Sequence, residues 1–397
     1  MTDGFWKGLA SDKANDCAER CREALSFILS HGGVTSRWQS VVISTDAFAP
    51  HDAMAKFLRD SLLPTLQYLE LKFHGPSNSD SMDELMFNIM MSVIPMPLFR
   101  ETPSSLRVVK LAGFANPFIF GHFNQLQIPG LTHLELDFVG TPPDLSDISS
   151  LLRVISKLEV LRFSFGWTDS NPDNKVDPPL SKVELPCLQD LGLFFMKEGY
   201  WSQSFLMMLE APRVEHFQLN MGECEVEARA IMQLFTTPGG KHIPNIIFPS
   251  VTRLKVVLDR NSYDSTSILE ALLLAHPKTT VLEVSWAPLK ALAAKLWLVP
   301  DMQHLRVSGC DGSELREAVM ARTEVKLPLK LVEAEPFSGY LIKTPDRDYI
   351  RSKVQFQFVE FFTVEYRVVD DPPNDDEFSG VLPRMARSRV AQNADDD

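Results

Sequence analysis

A six-residue pattern, apolar-x-x-apolar-x-apolar, recurs nine times and constrains this chain more than any other feature. It stands at Leu66–Leu71, Leu106–Leu111, Leu131–Leu136, Leu158–Phe163, Leu188–Leu193, Val214–Leu219, Val251–Val256 and Met302–Val307, with a degenerate copy at Thr279–Val284. The starts fall at 66, 106, 131, 158, 188, 214, 251, 279 and 302, so the interval runs from 23 (279 to 302) to 40 (66 to 106). The last three residues of each hexad alternate apolar, polar, apolar, the period of a short strand with one buried face.

Helical spacing lies between the hexads. Ile148, Leu151, Leu152 and Ile155 fall at i, i+3, i+4, i+7, as do Ile268, Ala271, Leu272, Ala275 and Leu289, Leu292, Ala293, Leu296. Ser81-x-x-Glu84 and Ser267-x-x-Glu270 read as capping boxes, in which hydroxyl and carboxylate satisfy the orphan amides of a helix start. One strand and one helix per unit is the leucine-rich-repeat arrangement. The expected fold is therefore α/β: a leucine-rich-repeat-like solenoid with a curved parallel sheet and with helices and irregular loops on its convex side.

A strict repeat places Asn or Cys three residues past the hexad. Here those positions are His74, Phe114, Val139, Gly166, Met196, Gly222, Asp259, Ala287 and Cys310, so the side-chain ladder that closes each turn is mostly missing. Pro, Gly and longer loops must make the bends. The expected organisation is a helical cap over 1–35, the solenoid over 36–335, a strand or hairpin cap over 336–369 and an acidic, disordered tail over 370–397. Residues 14–30 supply the N-terminal helix and Ser36–Ile43 a first strand. Val354, Phe356 and Phe358, then Val364, Tyr366 and Val368 after a one-residue slip, supply the terminal strand or hairpin. Asp-Asp-Pro-Pro-Asn-Asp-Asp-Glu from Asp370 marks the tail.

Composition narrows the function classes. With 39 Lys+Arg against 52 Asp+Glu the formal net charge is −13, which disfavours a general nucleic-acid binder. No apolar run reaches the roughly 18 residues of a membrane helix, and the N-terminus carries no secretory signal pattern. Five cysteines at unrelated spacings (Cys17, Cys21, Cys187, Cys224, Cys310) and no N-x-Ser/Thr sequon fit a reducing compartment, cytoplasm or nucleus.

Catalytic signatures such as G-x-S-x-G, H-E-x-x-H, C-x-x-C and G-x-G-x-x-G do not occur. Gly239-Gly-Lys-His242 lacks the Ser/Thr and upstream Gly of a phosphate loop and reads as a turn. Asp259–Asp264 has no Gly where a calcium loop needs one and reads as a solvated loop. Cys17 and Cys21 read as buried thiols on one helix face, and Arg384, Arg387 and Arg389 as part of the solvated tail. Neither a cofactor nor a metal is expected, and no catalytic residue is assigned.

What remains is a surface. The third, fifth and seventh residues of the hexad frame point away from the core, because alternate strand residues point oppositely. The expected concave, protein-binding face carries Tyr68, Glu70, His133, Glu135, Asp137, Arg162, His216, Gln218, Arg253, Lys255, His304 and Arg306, with Lys72 and Glu283 beside them. Read this way its sign passes from acidic in the early units to basic in the late ones, a polarity that orients a partner. His133, His216 and His304 share a frame position but belong to distant repeats, so they do not form a metal site.

With the repeats placed, the chain resembles the fungal F-box/leucine-rich-repeat proteins. The carriers are Ser36-Arg-Trp-Gln-Ser-Val-Val-Ile43, the units at Leu66–Leu71 and Leu131–Leu136, and the Pro-led entries Leu185-Pro-Cys-Leu188 and Phe248-Pro-Ser-Val251. The resemblance covers about residues 20 to 330 and the repeat region alone, since residues 1–35 lack the Leu-Pro-led pattern of an F-box. It implies a non-enzymatic substrate-recognition module of a cullin-type ubiquitin ligase, with a protein partner on the concave face and the ligase's small adaptor as a second partner. The alternatives are a repeat-only scaffold without ligase recruitment, and an enzyme whose site lies in the loops 166–184 or 236–249.

Overall fold

The computed structural model describes residues 12–45, 48–73, 98–114, 128, 130–140, 142–168, 181–196, 199–221, 225–236, 246–258, 265–295, 298–335, 342–361 and 366–369. The Ser81 capping box, the Gly239 turn, the Asp259–Asp264 loop, most of the two candidate loops and the acidic tail lie outside these residues. The chain divides into two compact units, Met1–Lys241 with Asn245–Val251, and His242–Pro244 with Thr252–Asp397. Both are mixed α/β.

The first unit opens with α1 (Asp12–Ser30), β1 (Ser40–Thr45), α2 (Phe48–Asp60), β2 (Tyr68–Phe73), β3 (Val108–Phe114), β4 (His133–Gly140), α3 (Leu145–Val154) and β5 (Val160–Thr168). It continues with β6 (Val183–Glu184), β7 (Asp190–Met196), α4 (Gly199–Met208), β8 (Leu209–Glu210), β9 (His216–Met221) and α5 (Glu225–Phe235). Strands β1-β2-β3-β4-β5-β7-β9 lie side by side in that order, every neighbouring pair parallel. The two-residue β6 and β8 pair separately. The second unit holds β10 (Arg253–Val257), α6 (Ser265–Ala275), β11 (Val281–Ser285), α7 (Lys290–Ala294), β12 (His304–Ser308), α8 (Gly312–Glu324), β13 (Leu331–Ala334), α9 (Thr344–Arg351), β14 (Gln355–Phe361) and β15 (Tyr366–Val369). Strands β10 to β14 run parallel in sequence order, and β15 turns back antiparallel on β14.

Each hexad occupies a strand in the same way. Residues four and six are buried (Leu69 and Leu71, Leu134 and Leu136, Leu161 and Phe163, Leu305 and Val307), while three, five and seven mostly keep some solvent contact. A fully buried Leu or Phe contributes about 2 kcal/mol by removing its apolar surface from water. Helices cover this apolar side: Trp201 and Phe205 of α4 meet Phe163 at 6.3 and 5.3 Å, and Trp201 donates Nε1–H to the Pro143 carbonyl at 2.7 Å.

The entry to each strand is a repeated device. The first hexad N–H bonds the carbonyl three residues earlier, as in Leu66 to Leu63, Leu188 to Leu185, Val251 to Phe248 and Met302 to Val299, all between 3.1 and 3.4 Å. This is a β-turn, and Pro64, Pro186, Pro249 and Pro300 sit at its second position, where the fixed φ of proline is already correct. The second hexad residue then stitches repeats together, because its carbonyl accepts two N–H groups from the next repeat. Gln67 O accepts from Arg107 and Val108 at 2.8 and 3.0 Å, and Thr252 O from Thr280 and Val281 at 2.8 and 3.1 Å.

Hydroxyls just before the hexad do part of what the missing Asn ladder would do. Thr65 Oγ1 donates to the carbonyls of Ser36 and Trp38 (2.8 and 3.1 Å), Ser105 to Pro64 (3.0 Å) and Ser250 to Pro212 (2.8 Å). The degenerate repeat swaps an apolar pair for a hydrogen-bonded one. His276 stands where other repeats bury Leu63, Leu185, Phe248 or Val299. Its Nδ1 lies 2.8 Å from the Leu272 carbonyl, and Thr279 Oγ1 donates to the His276 carbonyl at 2.7 Å. Burial pushes the His276 imidazole down from its ordinary 6.5 to about 4, the Leu272 carbonyl opposing.

Several local expectations change. Cys17 is exposed and Cys21 half-buried, because α1 leaves that face open. The same helix exposes Phe27, Ile28 and Leu29 before a Schellman ending in which Gly33 N–H bonds Ile28 O and Gly32, at φ 87°, bonds Leu29 O. Ser267 is already inside α6, which runs from Ser265, so it does not cap that helix. The residue after hexad position seven is left-handed in three repeats: Gly113, Trp286 and Gly309, at φ 86°, 61° and 61°.

Candidate functional site

Parallel, unshifted pairing places equal hexad positions side by side. In the first unit Glu70, Lys110, Glu135, Arg162, Gly192 and Gln218 therefore form one row across β2 to β9, flanked by the row Tyr68, Val108, His133, Val160, Asp190 and His216. The signs alternate, and the side chains pair both within β2 and across the strands that follow it. Lys72 reaches Glu70 at 2.6 Å, Lys110 reaches Glu135 at 3.2 Å, and Arg162 reaches Glu135 at 3.3 Å. Arg162 also grips Asp190 in a fork, Nη2–Oδ2 2.8 Å and Nε–Oδ1 3.3 Å. His216 Nδ1 stands 3.0 Å from the same carboxylate, and Tyr68 donates its hydroxyl to Glu70.

These contacts set the proton affinities. Burial tends to raise Asp190, but hydrogen bonds from His216 and Arg162 and their charges hold it down at about 2. Burial likewise works to lower Arg162, and Asp190 and Glu135 raise it. Tyr68 is pushed up to about 12 by burial and by its bond to Glu70, while Lys72 and Tyr68 lower Glu70.

The second unit repeats the device. Lys255, Glu283, Arg306, Glu333 and Gln357 share a row across β10 to β14. Lys255 pairs with Glu283, and Arg306 with Glu333 and, at 3.8 Å, with Glu283. Glu333 further takes His304 Nε2 and Gln357 Nε2, each at 2.6 Å, and against its burial these partners hold it at about 2. Arg253 stands exposed at the head of β10.

The first unit also carries a cavity of about 290 Å³ on this polar face. Its walls are Lys72, Lys110 and Arg162 with Glu135 and Asp137, and its apolar lining includes Ala112 and Phe194. Small residues make the room. A Cβ on Gly192 would lie 2.6 Å from the Phe194 ring and 3.1 Å from Arg162 Cγ, so glycine lets both side chains cross that point. The cavity lies toward the strand exits, where the pairing slips between Ala112 and Phe114, Asp137 and Val139, and Leu193 and Met196.

Of the expected face residues, Tyr68, Glu70, Glu135, Arg162, His216 and Gln218 come together in the first network, and Lys255, His304 and Arg306 in the second. Asp137 lines the cavity, and His133 turns to Thr132 Oγ1 at 2.9 Å. The expected drift from acidic to basic is replaced by local neutralisation within each unit, because Lys110, Asp190 and Glu333 also occupy outward positions. Lys110 and Asp190 stood in recognised hexads. Glu333 belongs to a tenth, Leu329-Lys-Leu-Val-Glu-Ala334, whose closing Ala masks the pattern.

No model of a known protein family matches the chain, and no curated protein is significantly similar to it. Among the described residues no group of three or more His, Cys, Asp or Glu could hold a metal ion, and no helix is long and apolar enough to cross a membrane.

Proposed function

We propose that this chain is a non-enzymatic protein-interaction module, a leucine-rich-repeat-like solenoid that receives a protein partner on the polar side of its sheet, as the substrate-recognition repeats of F-box proteins do. The observation that carries this reading is the in-register ladder of ion pairs around the cavity in the first unit. A parallel sheet stitched twice per repeat holds Lys72, Lys110, Arg162 and Asp190 in fixed places, so a partner meets side chains whose ordering entropy is already lost. Fixed charges of alternating sign supply specificity and steering. A small cavity beside them suits one anchoring side chain, the kind of contact that dominates protein interfaces.

The test is a comparison of the proteins recovered by the full chain and by an Arg162→Glu variant, followed by calorimetry on each purified pair. A partner lost with the variant while circular dichroism is unchanged supports the polar face as the interface. Retention of every partner at unchanged affinity refutes it.

A further inference from the structure

The ion pairs of the ladder are neutral in sum but unequal in reach. In the first unit Lys72 is 41% exposed over a Glu70 exposed by 16%, and Arg162 is 34% exposed over an Asp190 exposed by 16%. Lys110 is 29% exposed against 26% for Glu135. In the pairs of Lys72 and Arg162 the base is the more exposed partner, while Lys110 and Glu135 are nearly equally exposed. Asp137 Oδ1, within the cavity, is buried. Glu70 and Asp190 do not line the cavity, whose charged walls are Lys72, Lys110 and Arg162 against Glu135 and Asp137, so bases outnumber acids there by three to two.

The donors are not used up. A lysine ammonium has three, and the pairs with Glu70 and Glu135 engage one each on Lys72 and Lys110. The two lysines stand on adjacent strands, Lys72 beside Ala112 and Lys110 one alternation earlier on β3, so both border the cavity. Beyond them lie Ala112, Phe194 and the stem of Arg162, the apolar part of the lining.

Building on the reading of this face as a protein interface, we infer that the partner presents an acidic peptide segment, with a carboxylate bridging Lys72 and Lys110 and a neighbouring apolar side chain in the cavity against Phe194. The net charge of −13 keeps polyanions away from most of the surface, so the acidic segment must be short and locally placed.

The probes are a fluorescein-labelled peptide of alternating Glu and Leu and its Gln counterpart, titrated into the full chain by anisotropy at low and at physiological salt. The Glu peptide should bind about tenfold tighter than the Gln peptide, and the advantage should shrink with salt. Lys72→Gln and Lys110→Gln should each remove most of that advantage, whereas Lys56→Gln, on the surface of α2, should not. Carbodiimide coupling should join the peptide to Lys72 or Lys110 in the unmutated protein, a readout that needs no variant to fold. Equal binding of the two peptides, a preference that survives both lysine variants, or coupling only elsewhere overturns the inference. So does displacement of the Glu peptide by an oligonucleotide of equal charge at lower concentration. If the peptides fail while a partner is still lost with Arg162→Glu, the acidic assignment falls and the interface reading stands; if both fail, so does the interface.

Discussion

His276 permits a sharp test of how the degenerate repeat is held. It is 1% exposed and occupies a turn position that other repeats fill with Leu, Phe or Val. Burial lowers its pKa from 6.5 to about 4, so the folded protein keeps it neutral where the unfolded chain would charge it. Above pH 6.5 neither state binds the proton and stability does not depend on this group. As pH falls below 6.5 only the unfolded chain gains a proton, and at pH 5 the 1.5-unit gap is worth about 2 kcal/mol of lost stability, approaching about 3 near pH 4. His276→Leu restores the apolar residue of the other repeats. At pH 7 it exchanges one hydrogen bond for apolar burial, each worth about 1 kcal/mol, and should change little. At pH 5 the variant should exceed the parent by about 2 kcal/mol more than at pH 7, read from urea unfolding at the two pH values. His51, also buried and lowered to about 4, is present in both proteins and cancels. Identical pH dependence of the two proteins would refute the argument.

Other substitutions probe the ladder, the turns and the stitching. Asp190→Asn should cost about 2 kcal/mol at pH 7, since it leaves Arg162 without its fork. The group's folded pKa lies below its unfolded 3.8, so the gap to the parent should close as pH falls from 4 toward 2; a pH-independent gap in thermal melts would count against the assignment. Gly309→Ala should destabilise by about 2 kcal/mol or more, because φ 61° disfavours a side chain and the new Cβ meets the Trp286 ring; urea titration showing no loss would contradict this. Thr65→Val should cost about 1 kcal/mol by orphaning its link to Ser36 and Trp38, and Thr65→Ser should recover most of it in the same assay.

The strands were legible because burial at hexad positions four and six demands apolar residues at a fixed spacing. The α3 helix was legible for the same reason, with Ile148, Leu151 and Leu152 all buried. Helix α9 was not: its sequence TPDRDYIR is polar, with Arg347 and Ile350 turned inward, and no apolar period survives in eight residues. The ladder was half legible. Which residues point outward follows from alternation within one strand, but who pairs with whom is a relation between strands, and Lys110, Asp190 and Glu333 acquire meaning only beside Glu135, Arg162 and Arg306. Reach was hidden altogether, since no pattern of residue types tells how far Lys72 stands above Glu70. The hydroxyl links of Thr65, Ser105 and Ser250 use residues that also occur as ordinary turn formers, so their sequence signal is weak.

The double stitch at each strand entry has a consequence for how this chain tolerates change. Entry geometry repeats from unit to unit, whereas the exits slip and the spacing between hexads varies from 23 to 40 residues. The start of each strand acts as a clutch that sets alignment, and the stretch between one exit and the next entry carries the slack. A loop grafted after an exit should leave every downstream strand aligned, as natural length variation within this one chain already does. One residue added between Leu63 and Gln67 would instead disengage the clutch and rotate the outward row of β2 into the core.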